Sequence, residues 1–446
     1  MTTVAGRLNG HQAEGAQRQG REIVDAAEVG AVRENQFVFL ANFDGTRNDK
    51  TDVARSGNPL STNVGAISDQ AERTEEDNPE GNFKTGYYKG HGTEGSLVAS
   101  DWYPGKVTQE AINTAKRAYN EFSEHATAWL KARYGEDARN HVDEIAVAIT
   151  AFSRGSATAA VFTHLLYRDG LIDPEDRSKV LIPPGEVGVS AGVIFDPVTT
   201  GVDANVAFAP NVKNVVVVQA QHEYRYLFKG VDHSGHPGVR VVEATGNHCN
   251  IGGGYDNGLG ALNLEAATRF LQRSGVPVAD VDPSRRLDPS VPLTVYDESD
   301  QKAEQGNFLT RDQSRGKWDV SGRFIEGGET QPIRLLDKVA KPATVDYQPE
   351  AEVVNFKLYD HKTHSKVKSY LDDTPEEALR KHPDLAAALS IRELLHEEIA
   401  DMPYRQKQVV MNRIDDHLVS AIEKNQTLPI VIEGRARQDE RQLSLP

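Results

Sequence analysis

One cysteine in 446 residues is too few for a disulfide framework or for a structural zinc site built on thiolates. It leaves export open, because large secreted proteins fold without disulfides. Basic residues are also scarce: 50 Lys and Arg stand against 66 Asp and Glu, for a net charge of -16. Binding a nucleic-acid backbone needs a concentrated basic surface, so the balance argues against a nucleic-acid partner. Adsorption to anionic lipid by bulk charge is disfavoured for the same reason, although a local basic patch survives such an average. No apolar run approaches the length that spans a bilayer. Residues 1–34 lack the apolar stretch of a secretory signal and read as a polar, partly helical or disordered lead-in. Delivery outside the cell therefore needs a route that ignores such signals. There is no GxxxxGK[ST] sequence and no GxGxxG after a strand, and no cofactor is expected. No internal repeat is visible.

What the chain does have is core material, with 38% hydrophobic residues. The apolar run FVFLANF (37–43) predicts a strand buried on both faces, ending at Asp44-Gly45-Thr46. Further strands are expected at 145–150, 187–195, 212–219 and 238–243, with helices over 107–134, from near Ser153 onward, and over 259–273. Strands separated by helices or long crossovers predict an α/β fold, a mostly parallel doubly wound sheet flanked by helices. Ligands bind such sheets at the carboxyl ends of the strands. Residues 47–84, polar and weakly periodic, read as a functional loop, a lid or a partly disordered cover. The catalytic unit is placed at 35–279. Residues 280–446 read as a C-terminal extension of mixed strands and helices, a possible lid or specificity subdomain, with a capped helix start at Thr374-Pro375-Glu376-Glu377.

Three strand ends carry residues with chemistry. In ITAFSRGSATAAV, Ser153 stands on a sharp strand-to-helix turn that would hold its hydroxyl above the sheet, with the following N–H groups facing a developing oxyanion. The alternative is a serine that merely caps a buried helix. In VIFDPV, Asp196 ends an apolar strand, where a carboxylate can orient a histidine or simply form an Asx turn with Pro197. Asp203, Asp232 and Asp256 are the other candidates for the acid. In VVEATGNHCNIGGGYDNG, His248 follows a strand and precedes three glycines that permit close backbone approach. Ser, Asp, His is the chain order of α/β-hydrolase triads. Arg154 would supply one oxyanion N–H and the turn containing Gly45 and Thr46 another. No metal site is expected: His222, His233 and His236 fit loops or a site rim, and His361 and His364 are too isolated. Cys249 reads as a packed thiol.

The motifs FDGTRND (43–49), GYYKGHGT (86–93), AFSRGS (151–156), VIFDPV (193–198) and GNHCNIGGGYDNG (246–258) resemble those of an α/β-hydrolase family long catalogued as a domain of unknown function. That family includes phospholipase effectors exported by bacterial type VI secretion systems. Its patterns are FDGTWN, YYxGVGT, GFSRGA, FDTVG and GVHSDVGGGY, so its serine, acid and histidine map to Ser153, Asp196 and His248. The chain departs from them at Ala151, at Pro197-Val198 and at Cys249-Asn250. The resemblance covers roughly residues 35–275 and implies a lipase or phospholipase acting on phospholipid or another ester. It also implies contact with a membrane surface, a secretion component, an immunity protein, and delivery from the producing cell's cytoplasm to the periplasm or membrane of a target cell. The same triad serves peptidases and amidases, and the fold can persist as an inactive binding module.

Overall fold

Strand β1, Phe37–Phe43, buries all seven of its residues, because the chain pairs it on both sides and covers it on both faces. The computed structural model describes residues 3–93, 104–176, 179–198, 206–223, 230–255 and 258–297, together with residues 202 and 228 and five strand fragments beyond residue 316. The other sheet strands are β2 (Phe83–Tyr88), β3 (Ile145–Phe152), β4 (Val189–Phe195), β5 (Val215–Ala220) and β6 (Val239–Ala244). They form one six-stranded sheet in the order β2-β1-β3-β4-β5-β6, with every pair parallel. The helices are α1 (Gly10–Asp25), α2 (Asn63–Asp77), α3 (Pro104–Tyr134), α4 (Gly155–Asp169), α5 (His248–Gly252) and α6 (Leu259–Arg273). The expected α/β, doubly wound class is what the chain adopts.

Side chains alternate across the sheet and feed two cores. Phe37, Phe39, Phe43, Val147 and Ile149 pack with Phe122 of α3 and Phe162 of α4. Val38, Leu40, Ala146, Ala148 and Val216 pack on the other side with Ile23 of α1, Ile67 of α2 and Phe270 of α6. Both faces being covered is why the strands read as continuous apolar runs rather than alternating ones. The polar lead-in therefore carries a helix that belongs to this second core. Its neighbour, Thr3–Arg7, pairs antiparallel with Thr294–Asp297.

Residues 47–84 differ from the expectation of a loop or lid. They contain a short 3-10 turn, Val53–Ser56, and the whole of α2. Thr62 caps α2 by accepting from Gly65 N–H, as threonine does at helix starts. Several of the helix's buried positions are polar. Asn63 donates to the carbonyls of Ile251 and Gly260, and Gln70 accepts from the Thr268 hydroxyl. Those satisfied polar groups dilute the apolar period that would have signalled a helix. Strand β2 was hidden in the same way: within FKTGYY, the Thr85 hydroxyl bonds Leu40 O and the Asn42 amide of β1. The helix start at Thr374, with His361 and His364, lies outside the described residues. Among the described residues, no helix is long and apolar enough to cross a membrane.

Because β2 lies to one side of β1 and β3 to the other, the chain reverses its winding between β1 and β3. The carboxyl end of that pair is the crevice where doubly wound sheets take ligands. Phe39, fully buried on β1, packs on Phe122 with ring centroids 5.9 Å apart and the ring planes tilted by 60°. Replacing Phe39 with Ala should lower the unfolding free energy by about 3–5 kcal/mol, read from urea melts. A loss below about 1 kcal/mol would show that the first core does not depend on this contact.

Candidate active site

The strand register brings Asp44, Ser153 and Asp196 to one edge. Phe43 pairs with Ala151, and Phe152 pairs with Phe195, so the three residues leave adjacent strands at nearly one level. Ala151, where the family's motif has glycine, is fully buried and packs its methyl into the first core. Ser153 itself is in the left-handed region at φ 55°, only 5% exposed. Its N–H donates to Phe195 O, and its carbonyl accepts from Val198 N–H. The turn is thus held on both sides by the neighbouring strand's continuation. Gly155 then starts α4, and a Cβ there would lie 2.4 Å from Phe43 O, so no larger residue fits.

Asp196 is fully buried, also with a positive φ, at 36°. One carboxylate oxygen accepts from the Gln219 side chain at 3.0 Å and from Ala220 N–H at 2.9 Å. The other lies 2.6 Å from His248 Nδ1. With an ionised carboxylate as acceptor, the proton sits on Nδ1 and Nε2 is left as the basic nitrogen. The imidazole is packed between Phe152, at 4.5 Å between ring centroids, and Phe228, at 4.8 Å. His248 opens α5, whose cap is reciprocal: Asn247 Oδ1 accepts from Asn250 N–H, and Asn250 Oδ1 accepts from Asn247 N–H. Asn250, standing where the family's motif has Asp, also donates to Thr294 O. Of the other acid candidates, Asp232 is turned to its own loop, accepting from Ser234 N–H. Asp203 and Asp256 lie outside the described residues.

Around the β1 turn, Arg154, Gly45 and Thr46 do come together. Arg154 Nε donates to the Thr46 hydroxyl at 2.7 Å. A Cβ on Gly45 would stand 3.1 Å from Ser153 Cβ and 2.7 Å from the Phe152 ring. The Gly45 N–H, however, is already donated to Asp44 Oδ1 at 2.7 Å, whereas Thr46 N–H has no acceptor among the described residues. Asp44 also accepts from the hydroxyls of Tyr87 and Thr62. Burial nevertheless raises its pKa from the ordinary 3.8 to about 6, against the lowering by those bonds. Arg47, next in the turn, is the third non-glycine residue at positive φ among those described; the other two are Ser153 and Asp196. Strained backbone of this kind gathers where function demands it.

Reading the sequence did not single out Gln219, Glu223 or the burial of His91. Gln219 ends the apolar β5 run, and the buried Glu223, which accepts from His248 N–H at 3.2 Å, follows three residues after that strand. The place of Glu223 just past a buried strand is the same signal that marked Asp196. His91 bonds the Thr158 hydroxyl beside the β1 turn. His222, placed in a loop or rim, accepts from Gly246 N–H and so ties the β5 and β6 extensions together. Among the described residues, no group of three His, Cys, Asp or Glu side chains could hold a metal ion.

No protein-family model matches the chain, and no curated protein matches it. Among solved structures, it is similar to an uncharacterized protein from Pseudomonas aeruginosa at 13% identity and a TM-score of 0.41, with 95% of this chain and 67% of that one covered. It is also similar to the Tle1 effector bound to the VgrG spike of the type 6 secretion system, at 17% identity and a TM-score of 0.32. That match covers 51% of this chain and 52% of the other, about half the length of each.

Burial of imidazoles gives the protein a pH dependence. Desolvation pulls His91 and His233 down to about 3 and His164 to about 4, from an ordinary 6.5. The unfolded chain therefore binds protons that the folded one refuses, so stability is complete above about pH 6.5 and falls as the pH drops towards the folded values. Asp44 acts in the opposite direction below pH 6, but it is one group against these three and His236, which burial also lowers. Urea midpoints should decline from pH 7 to pH 4.5, and His91→Val, the residue found in the family's motif, should make the decline shallower. A midpoint that stays level or rises on acidification would show that these histidines do not control acid stability.

Proposed function

We propose that the chain is a serine hydrolase that cleaves carboxylic esters, with Ser153 as nucleophile, His248 as base and Asp196 as acid. The observation that carries this is the 2.6 Å contact between Asp196 Oδ2 and His248 Nδ1, buried at the strand edge where Ser153 stands in a strained strand-to-helix turn. His248 Nε2 takes the Ser153 proton as the hydroxyl oxygen attacks the ester carbonyl. It then returns the proton to the leaving alcohol as the acyl-enzyme forms. Asp196 stays ionised and stabilises the imidazolium in a site from which water is largely excluded. Water activated by the same nitrogen releases the acid and frees Ser153. The oxyanion is held by the N–H groups of Arg154 and Thr46. Gly45 contributes by having no side chain, since its own N–H is held by Asp44. The motif resemblance supports a phospholipid ester as substrate and an effector role, with a secretion component and an immunity protein as partners.

Ser153→Ala should abolish fluorophosphonate labelling and cut hydrolysis by roughly 10³-fold or more with the fold intact. The assay is mixed phospholipid vesicles beside a peptide panel. Peptide cleavage without lipid cleavage would make the chain a peptidase, and an unlabelled wild-type protein would make it an inactive module. Hydrolysis by the alanine variant at the wild-type rate would remove Ser153 from the mechanism.

Asp196→Asn should lower kcat by up to roughly 10⁴-fold, because an amide in that place favours the wrong imidazole tautomer. Asp232→Asn, measured on the same ester, should leave kcat within about twofold, since a surface change away from such a feature has little effect. The reverse ranking would reassign the acid.

A further inference from the structure

Two buried carboxylates, not one, meet His248. Asp196 follows β4 and takes the ring. Glu223 follows β5, is 2% exposed, and accepts from the backbone N–H of His248 at 3.2 Å. A doubly wound sheet offers both loops to the histidine, and this chain fills each with an acid. The approach of Glu223 is fixed by the ladder beyond the strands. Gln221 N–H donates to Ala244 O, His222 N–H donates to Gly246 O, and Gly246 N–H returns to His222 Nδ1. Residues 221–223 and 244–248 therefore run as one clamped pair, ending where α5 begins. That helix has only five residues, so its own hydrogen bonds do little to hold the first of them in place.

We propose that Glu223 is a positioning residue for His248: its carboxylate anchors the His248 amide, so that the imidazole is fixed at once against Asp196 and towards Ser153. The inference rests on the triad reading above. A buried carboxylate that accepts a backbone N–H makes a charge-assisted bond, about twice as strong as a neutral one. Holding the main chain of a base matters, because a displacement of about 1 Å can cost about 10² in rate. Among the described residues, Asp196 lies against the ring at Nδ1, and Phe152 and Phe228 pack on it with centroids at 4.5 and 4.8 Å; Cys249, next in sequence, is buried, and His222 is held to Gly246 N–H on the clamped segment.

The test compares Glu223→Ala and Glu223→Gln with wild type on p-nitrophenyl butyrate, and follows the downfield proton resonance of the His248–Asp196 bond by NMR. The alanine variant should lose about 10² in kcat with KM nearly unchanged, and its downfield resonance should broaden or vanish. The glutamine variant keeps an oxygen that accepts from the same N–H. It should recover most of kcat and retain the resonance. If the alanine variant keeps wild-type kcat and resonance, or loses activity only in proportion to its unfolded fraction, Glu223 does not position the base. If instead the wild type hydrolyses no ester while the resonance still responds to Glu223→Ala, the positioning stands and the esterase reading fails.

Discussion

The site depends on backbone meeting backbone at the carboxyl ends of β1 and β3. A Cβ at Gly90 would lie 1.6 Å from Gly45 O, and one at Gly155 would lie 2.4 Å from Phe43 O. Three glycines therefore let the β1 turn, the segment after β2 and the start of α4 occupy a space that side chains would fill. This close approach brings the Thr46 and Arg154 amides near Ser153. It falls where the sheet reverses its winding, the place at which doubly wound sheets take ligands. Asp44 secures the arrangement from beneath. It joins the β1 turn through Gly45 N–H, β2 through Tyr87 and the α2 cap through Thr62. Helix α2 is thus part of the frame of the site, a role its polar composition concealed.

How legible this was depended on what each residue is satisfied by. The runs FVFLANF and VGVSAGVIF were readable because burial on both faces leaves them no polar alternative. The helix over 259–273 was readable because Leu264, Ala267, Phe270 and Leu271 keep the apolar period although Asn263 and Thr268 are buried beside them. Helix α2 and strand β2 were not, since Asn63 and Gln70 are buried, Thr85 is half-buried, and all three are satisfied by partners far along the chain. Local periodicity cannot see a hydrogen bond to residue 251 or 268. Ser153, Asp196 and His248 were visible by position, each just past an apolar strand and in an order that one fold allows. Glu223 shares that placement and was passed over because it bonds an amide; no sequence pattern marks a carboxylate that serves the main chain.

The backbone supplies the last link between stability and chemistry. Ser153, Asp196 and Arg47 hold positive φ without the freedom of glycine, and conformations of that kind cost of order 1–3 kcal/mol each where nothing compensates. All three lie at this one edge of the sheet. Two are tied directly to the neighbouring strand: Ser153 N–H to Phe195 O, and Asp196 N–H to Val218 O. Arg47 N–H is tied to His91 O across the β1 turn. The ladder therefore continues one residue past the regular strands, and the residues that continue it are forced out of extended geometry. An extended residue at 153 would lay its side chain in the sheet's alternation, towards one of the two cores. The left-handed turn instead releases it from that alternation while its amide stays paired. Strain in the backbone is how a side chain at the end of a fully covered strand can leave the alternation between the two cores.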